Sequence, residues 1–383
     1  MICADKNLRV EDIFKGLNLI CKGVLFMKVL EHKLNNDKTV FFERNTHRSE
    51  LLFFDIETTG FSAMNTVLYM IGCMYFKYGT WNVIQWFNDD DSSELDILEH
   101  FSEFASGFRT IISYNGEGFD IPYLEKKFEL HGMENMFSGI KSIDVFKNIK
   151  PLKKVLGLPN MKLKTIEDYL GIGRGDIYSG GELINVYDRF LVTGDLQLMH
   201  LLVLHNLEDI KNMLYSTDIM LVKSFFEGEY DLTSAKQEGD EIVIHFSCSL
   251  PKILNIKKHD IILQAGLTEG TFRIPIFHGI KKVYFENYRD YYYLPIEDYA
   301  IHKSVAAYMD SRYRKRATKD TCYQKVNGDF VPAMKYPTDK LFGDTVDKPK
   351  KYMELSKMAN NDFDVDLYVE LIMKDFYNYS LQL

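Results

Sequence analysis

The chain is predicted to be an α/β protein built on a mixed sheet flanked by helices, with an N-terminal extension before it and a C-terminal α+β domain after it. Three observations lead there. Short apolar runs succeed one another closely from Leu51; further on, such runs alternate with segments of helical period; and after about residue 222 the pattern turns to β-rich segments with a mixed tail. Strands joined by short turns pair antiparallel, whereas strands separated by helices can run parallel, so both patterns in one domain imply a mixed sheet covered by helices.

Residues 1–49 hold an amphipathic stretch, LRVEDIFKGLNLICKG, then the strand-like VLFMKVL, and are expected to pack as an extension against the central domain. That domain, 50–222, opens with the strands LLFFDIE, TVLYMIGCMYF and WNVIQWF. Next comes the helix SELDILEHFSEF, whose Ser93 and early acids suit an N-terminus. The strand TIISYN, the helix IPYLEKKFEL, the strand SIDVF and helices from Leu152 to about Phe226 complete it. Residues 223–383, with segments such as EIVIHFSCSL and DYYYLPI, form an accessory domain expected to help bind substrate.

Composition narrows the function classes. A chain of 383 residues, 46% of them hydrophobic, can bury sizeable cores in two to three domains, and disorder is excluded as its general state. The net charge of −9 argues against coating nucleic acid non-specifically and leaves room for a locally basic groove. Five cysteines, Cys3, Cys21, Cys73, Cys248 and Cys322, are scattered without a CxxC pair, which suits buried thiols in a reducing compartment. With no signal-peptide pattern and no apolar run of membrane-spanning length, the expectation is a soluble cytoplasmic protein that does not engage membranes.

The stretch LLFFDIETTG ends an apolar strand, anchored by Phe53 and Phe54, with two acids, Asp55 and Glu57. Side chains two apart on a strand share a face and sit roughly 7 Å apart. Burying such a pair costs several kcal/mol without a counter-charge, from a salt bridge or a divalent cation, and no Lys or Arg lies nearby in sequence. Solvated acids at a strand end are the alternative. Asp120, in SYNGEGFDIPYLEKKF, stands before a helix with Pro122 in its first turn, where an ordinary N-cap is equally natural. In LLVLHNLEDIKNML, His205 and Asp209 share a helix face, and a core histidine is the alternative there. Taken together, four carboxylates without a cationic partner in the same motifs suit two hard divalent ions, Mg2+ or Mn2+.

DIETTG, SYNGEGFDIPYL and HNLED, in this order and spacing, resemble the three exonuclease motifs of the DEDD superfamily of ribonuclease H-like 3′-5′ exonucleases. Residues 51–221, including LKTIEDYLGIGRGDIYSGGELINVY, resemble the bacterial predicted exonuclease group with a ribonuclease H-like domain, over somewhat under half of the chain. The resemblance implies a ribonuclease H-like fold and two-metal hydrolysis of phosphodiester bonds in single-stranded DNA or RNA from the 3′ end. It implies that Asp55, Glu57, Asp120 and Asp209 hold two Mg2+ or Mn2+ ions and that His205 is the general base. The histidine branch of that superfamily places its base five positions before the last Asp, where this chain has four. Asn115 and Phe119 fit contacts to a terminal nucleotide, or equally a turn residue and a core residue. Lys164, within the lysine-rich interval Lys141 to Lys164, and the cluster of Arg312, Arg314, Lys315 and Arg316, interleaved with Tyr313 and Tyr323, suit a single strand or a solvated surface. A non-catalytic nucleic-acid-binding scaffold and a structure-specific endonuclease are the alternative functions on the same fold.

Overall fold

Alternate residues of strand β2 (Leu51–Thr58) point to opposite sides of a sheet, and each side has its own helical cover. The structure is a computed structural model that describes residues 27–34, 41, 47–178, 180–344, 351–358 and 363–378; the amphipathic stretch expected at 8–23 lies outside them. Strands β1 (Met27–Lys33), β3 (Leu68–Lys77), β4 (Thr80–Asn88), β5 (Thr110–Ser113) and β6 (Lys141–Asp144) join β2 in the order β1-β4-β3-β2-β5-β6. The first three pairings are antiparallel and β2/β5 and β5/β6 are parallel. This is the mixed sheet that the sequence predicts.

On one face, Leu52, Phe54 and Ile56 with Ile71, Cys73 and Trp86 meet helices α1 (Glu94–Ala105) and α2 (Asp120–Leu130). Short helices α3 (Val145–Ile149) and α4 (Leu152–Val155) and then α5 (Leu163–Leu170) lead to α6 (Gly180–Thr193), α7 (Leu196–Ser216) and α8 (Ile219–Phe226). Helices α6 and α7 cover Tyr69, Met70 and Phe87 on the other face. Phe53 and Phe54 are both fully buried, the first edge-on to Trp81 and the second against Phe101, so β2 is anchored from both sides. Ser93 occupies the N-cap of α1 as the sequence suggests, but its hydroxyl donates to Asp90 rather than capping the helix.

One glycine sets how closely α7 lies on the sheet. Gly72 pairs with Asp55 on β2 and with Gln85 on β4, and a Cβ there would overlap Asn206 Oδ1 and Ile210 Cδ1 of α7. Through that gap Gln85 Nε2 donates to Val203 O (3.0 Å) and Asn206 Oδ1 (2.9 Å), leaving the Asn206 amide nitrogen to face Asp55.

The chain divides into two compact units, 1–223 and 224–383. The second holds a five-stranded antiparallel sheet in the order β7-β8-β11-β10-β9: β7 (Asp231–Glu238), β8 (Glu241–Ser247), β9 (Leu254–Lys258), β10 (Ile261–Ala265) and β11 (Glu269–Pro275). Strands β12 (Phe277–Tyr284), β16 (Tyr323–Pro332), β18 (Tyr352–Glu354) and β17 (Phe342–Gly343) close a barrel around Phe330, Phe342 and Tyr352. A three-stranded sheet has the order β14-β13-β15, from β13 (Tyr291–Leu294), β14 (Tyr299–His302) and β15 (Lys315–Arg316). Helices α9 (Lys303–Ala306) and α10 (Val365–Asn378) make this unit α+β. Among the described residues no helix is long and apolar enough to cross a membrane.

Gly72→Ala should destabilise the protein by about 1–3 kcal/mol, the usual cost of overpacking a filled interior. A denaturant midpoint equal to that of the wild type would show that α7 can withdraw from β3 without loss.

Candidate active site

Asp55 and Glu57 project from the α7-facing side of β2, the face that Gly72 and Gln85 share. Asn206 Nδ2 donates to Asp55 Oδ2 at 2.9 Å, and the Tyr69 hydroxyl reaches Glu57 Oε2 at 3.4 Å. Asp120 is the first residue of α2, not its cap; the N-cap position belongs to Phe119. The carboxylate turns to β2 and accepts the Ile56 N–H at 3.2 Å, so it does not act as the ordinary N-cap that the sequence also allowed.

The turn that delivers Asp120 is held by Asp144, whose oxygens accept the N–H groups of Asn115 (3.0 Å) and Glu117 (3.1 Å) while also capping α3 through Lys147 N. Asn115 itself is in the left-handed region at φ 66°, a conformation that Asn tolerates better than most residues. The turn is therefore held by hydrogen bonds of the chain itself.

From α7, His205 and Asp209 complete the group. His205 Nε2 lies 3.3 Å from Asp209 Oδ2 and 3.8 Å from Glu57 Oε1, and one ligand atom from each of Glu57, His205 and Asp209 falls within 4.8 Å of the others. The four-residue spacing thus still aims the ring at the carboxylates.

A second ring of residues comes from the segment after α5, whose side chains carry no chemistry that the sequence motifs reveal. The Glu208 carboxylate accepts the N–H groups of Gly175 (2.9 Å) and Asp176 (2.6 Å), binding this segment along α7. Asp176 Oδ2 lies 2.7 Å from His205 Nδ1. A carboxylate only accepts, so Nδ1 carries the proton and the ring presents Nε2 to Glu57 and Asp209. Burial alone would raise the Asp176 pKa, but the Tyr178 N–H, His205 and Arg174 together hold it below the usual carboxylate range.

Arg174 corrects the expectation that these acids lack a cation. Its buried guanidinium bonds Glu167 (2.9 Å), Asp176 (3.2 Å) and Asp209. The counter-charge comes from 35 residues before Asp209 and could not be seen within the motifs. It reaches one acid of the four. No Lys or Arg among the described residues pairs with Asp55, Glu57 or Asp120.

Those three feel the shortage. Loss of solvent, then the charges of Asp120, Glu57 and Asp209, push the Asp55 pKa well up against the opposing Asn206 bond. Burial, then Asp209 and Asp120, do the same to Glu57. Burial, opposed by two backbone N–H groups and helped by Asp144 and Asp209, raises Asp120 to about 7. A site of hard oxygen donors short of positive charge fits a divalent cation.

The remaining sequence-predicted residues are less central. Phe119 packs against Tyr123 and edge-on to Phe61, which is 92% exposed, so an aromatic pair stands beside Asp120. Lys164 Nζ donates to Tyr178 O at 2.6 Å and lies 3.6 Å from Asp176, supporting the Arg174 segment. Arg312, Arg314, Lys315 and Arg316 belong to the second unit.

Residues 52–220 match the family model RNase_H_2, of the RNase_H superfamily. The sheet with its flanking helices is a ribonuclease H-like fold. A comparison with curated proteins finds none that matches. Among solved structures, the family B DNA polymerase from the hyperthermophilic archaeon Pyrobaculum calidifontis is similar at 13% identity and a TM-score of 0.36, over 66% of this chain and 39% of the polymerase. The zinc-bound E. coli ExoI–ssDNA complex is similar at 10% identity and a TM-score of 0.28, over 52% of this chain and 54% of that one. Apo exonuclease I gives 10% identity and 0.28, over 53% and 57%. This chain therefore spans well under two thirds of each of these relatives.

The two kinds of acid should separate in metal-free protein. Asp55→Asn relieves repulsion and should leave thermal stability in EDTA equal or higher, whereas Asp209→Asn takes a carboxylate from the buried Arg174 and should lower it. Equal losses from both would contradict this charge balance.

A pH series gives an independent check. Because the folded pKa of Asp120 exceeds its ordinary value of 3.8, the folded state binds more protons than the unfolded one between about 4 and 7. The contribution of this group to stability is thus lost as pH rises through that window. In EDTA the wild type should lose melting temperature relative to Asp120→Asn over the same interval; parallel curves would refute the assignment.

Proposed function

We propose that residues 50–222 form a metal-dependent 3′-5′ exonuclease that hydrolyses phosphodiester bonds of single-stranded DNA or RNA. The observation that carries the proposal is the convergence of Asp55, Glu57, Asp120 and Asp209 with His205, from one strand end and two helices, on a site short of positive charge. The match to the RNase_H superfamily supports a nuclease, and the order of the three motifs supports the exonuclease class and its polarity.

In this reading Asp55, Glu57, Asp120 and Asp209 hold two divalent ions, which when bound make an attacking water more acidic and stabilise the departing 3′ oxygen. His205 accepts the proton of that water at Nε2, its ring held by Asp176 at Nδ1. Asn206 keeps the Asp55 carboxylate turned inward, and Ile56 N–H does so for Asp120. These contacts come from the chain itself, so they would orient the carboxylates for cations. Phe119 and Phe61 offer an aromatic surface for the terminal base, and Asn115, fixed by Asp144, offers an amide beside it.

The test is cleavage of 5′- and 3′-labelled single- and double-stranded DNA and RNA with Mg2+ or Mn2+. A ladder shortening from the 3′ end is expected, Asp55→Asn should abolish it, and His205→Ala should slow it by roughly a hundredfold or more. Binding without cleavage would make the protein a scaffold, and internal cuts would make it an endonuclease.

A further inference from the structure

The second unit carries a partly exposed face whose chemistry the acidic site does not use. On β13, Tyr291 and Tyr293 turn inward to Ala300, Ala317 and Cys322, so strand alternation turns Tyr292 outward. The register of β13 with β15 sets Tyr292 directly opposite Arg316. The guanidinium carbons of Arg316 and Arg314 lie over the Tyr292 ring, 4.6 and 4.9 Å from its centre, as a direct and a diagonal neighbour on one face. Arg314 is further held by the carbonyl of Ala306.

Charge distinguishes these two arginines from their neighbour. Arg312 is committed to Asp310, through its backbone N–H and its guanidinium. Neither Arg314 nor Arg316 forms an ion pair among the described residues. The run from Arg312 to Lys319 holds five cations and no acid, in a chain of net charge −9. The sequence points to Tyr313 and Tyr323 as its aromatic companions. Tyr313 is exposed beneath the Arg312 guanidinium, 6.0 Å from its ring centre, whereas Tyr323 is buried and hydrogen-bonded to Asp298, and Tyr292 supplies the ring under Arg314 and Arg316.

We propose that this face of the β14-β13-β15 sheet is a binding site for single-stranded nucleic acid, with phosphates on Arg314 and Arg316 and a base stacked against the Tyr292 ring that lies between them. An acidic polypeptide would use the charges and leave the π-surface idle, and a duplex would hide the faces of its bases; a single strand uses both. The site does not depend on the nuclease reading, because its ligand contacts involve neither carboxylates nor metal.

The experiment is fluorescence anisotropy with the full chain in EDTA, using short fluorescein-labelled oligothymidylate and oligouridylate, so that no hydrolysis intervenes. Stacking of one base contributes about 1–3 kcal/mol, so Tyr292→Ala should weaken binding by about fivefold or more, while Tyr292→Phe should bind like the wild type. The double variant Arg314→Gln, Arg316→Gln should reduce the slope of log affinity against log salt by about 1.4, from two phosphates at about 0.7 each. An oligonucleotide carrying 5-iodouracil should crosslink to the peptide containing Tyr292. Unchanged affinity and salt slope, with crosslinks elsewhere, would overturn the proposal. Displacement of the oligonucleotide by poly-glutamate at equal charge would also overturn it, in favour of an acidic protein. Either outcome would leave the cleavage assay to judge the nuclease reading separately.

Discussion

Helix α7 lies against β3 at a position where no side chain but glycine's fits, and the acidic site depends on that approach. With Gly72 in the sheet, Asn206 reaches between Gln85 and Asp55, and its amide is oriented by having one neighbour that donates and one that accepts. The same helix then brings His205 and Asp209 to the side of β2 that carries Asp55 and Glu57. A larger residue at 72 would displace the Asn206 and Ile210 side chains, and with Asn206 the clamp on Asp55 would be lost.

Close approach creates the electrostatic problem that defines the site. Two like charges about 4 Å apart repel by about 4 kcal/mol at an effective dielectric of 20, so a group of four carboxylates cannot stay ionised without help. The protein supplies part of that help internally. Arg174 balances Asp209 and ties Glu167 and Asp176 into the same network, and Asp176 in turn orients the His205 ring. Asp55, Glu57 and Asp120 are left with raised proton affinity. An arrangement that stabilises one acid and leaves three poised differs from a structural ion-pair network, where each charge finds a partner.

The second unit shows the opposite use of charge. Arg316 is exposed and Arg314 half-exposed, and the Tyr292 ring orders these two, whereas Asp310 neutralises Arg312. An acidic chain can therefore present a local attraction for a polyanion, because the field close to a surface depends on nearby charges more than on the total.

Much of this was legible in the sequence because it is local. Apolar runs from Leu51 onward, with helices interposed from Ser93, imply a mixed sheet through pairing rules that need no coordinates. The i, i+2 acids at Asp55 and Glu57 must share a strand face, and the i, i+4 pair His205 and Asp209 must share a helix face. Whether Asp120 was an ordinary N-cap was undecidable from its own turn; its bond from the Ile56 N–H, with Phe119 at the N-cap position, settles that it is not. Arg174, Asp176 and Asn206 were hidden for a different reason. Arg174 lies more than a hundred residues from Asp55 and becomes a neighbour only when the segment after α5 lies along α7. Asn206 stands one residue from His205, about 100° around the helix, and finds Asp55 because Gly72 leaves room for it. Periodicity along the chain determined which faces the acids occupy, whereas the partners that balance and orient them depend on distances across the fold, which tertiary packing alone decides.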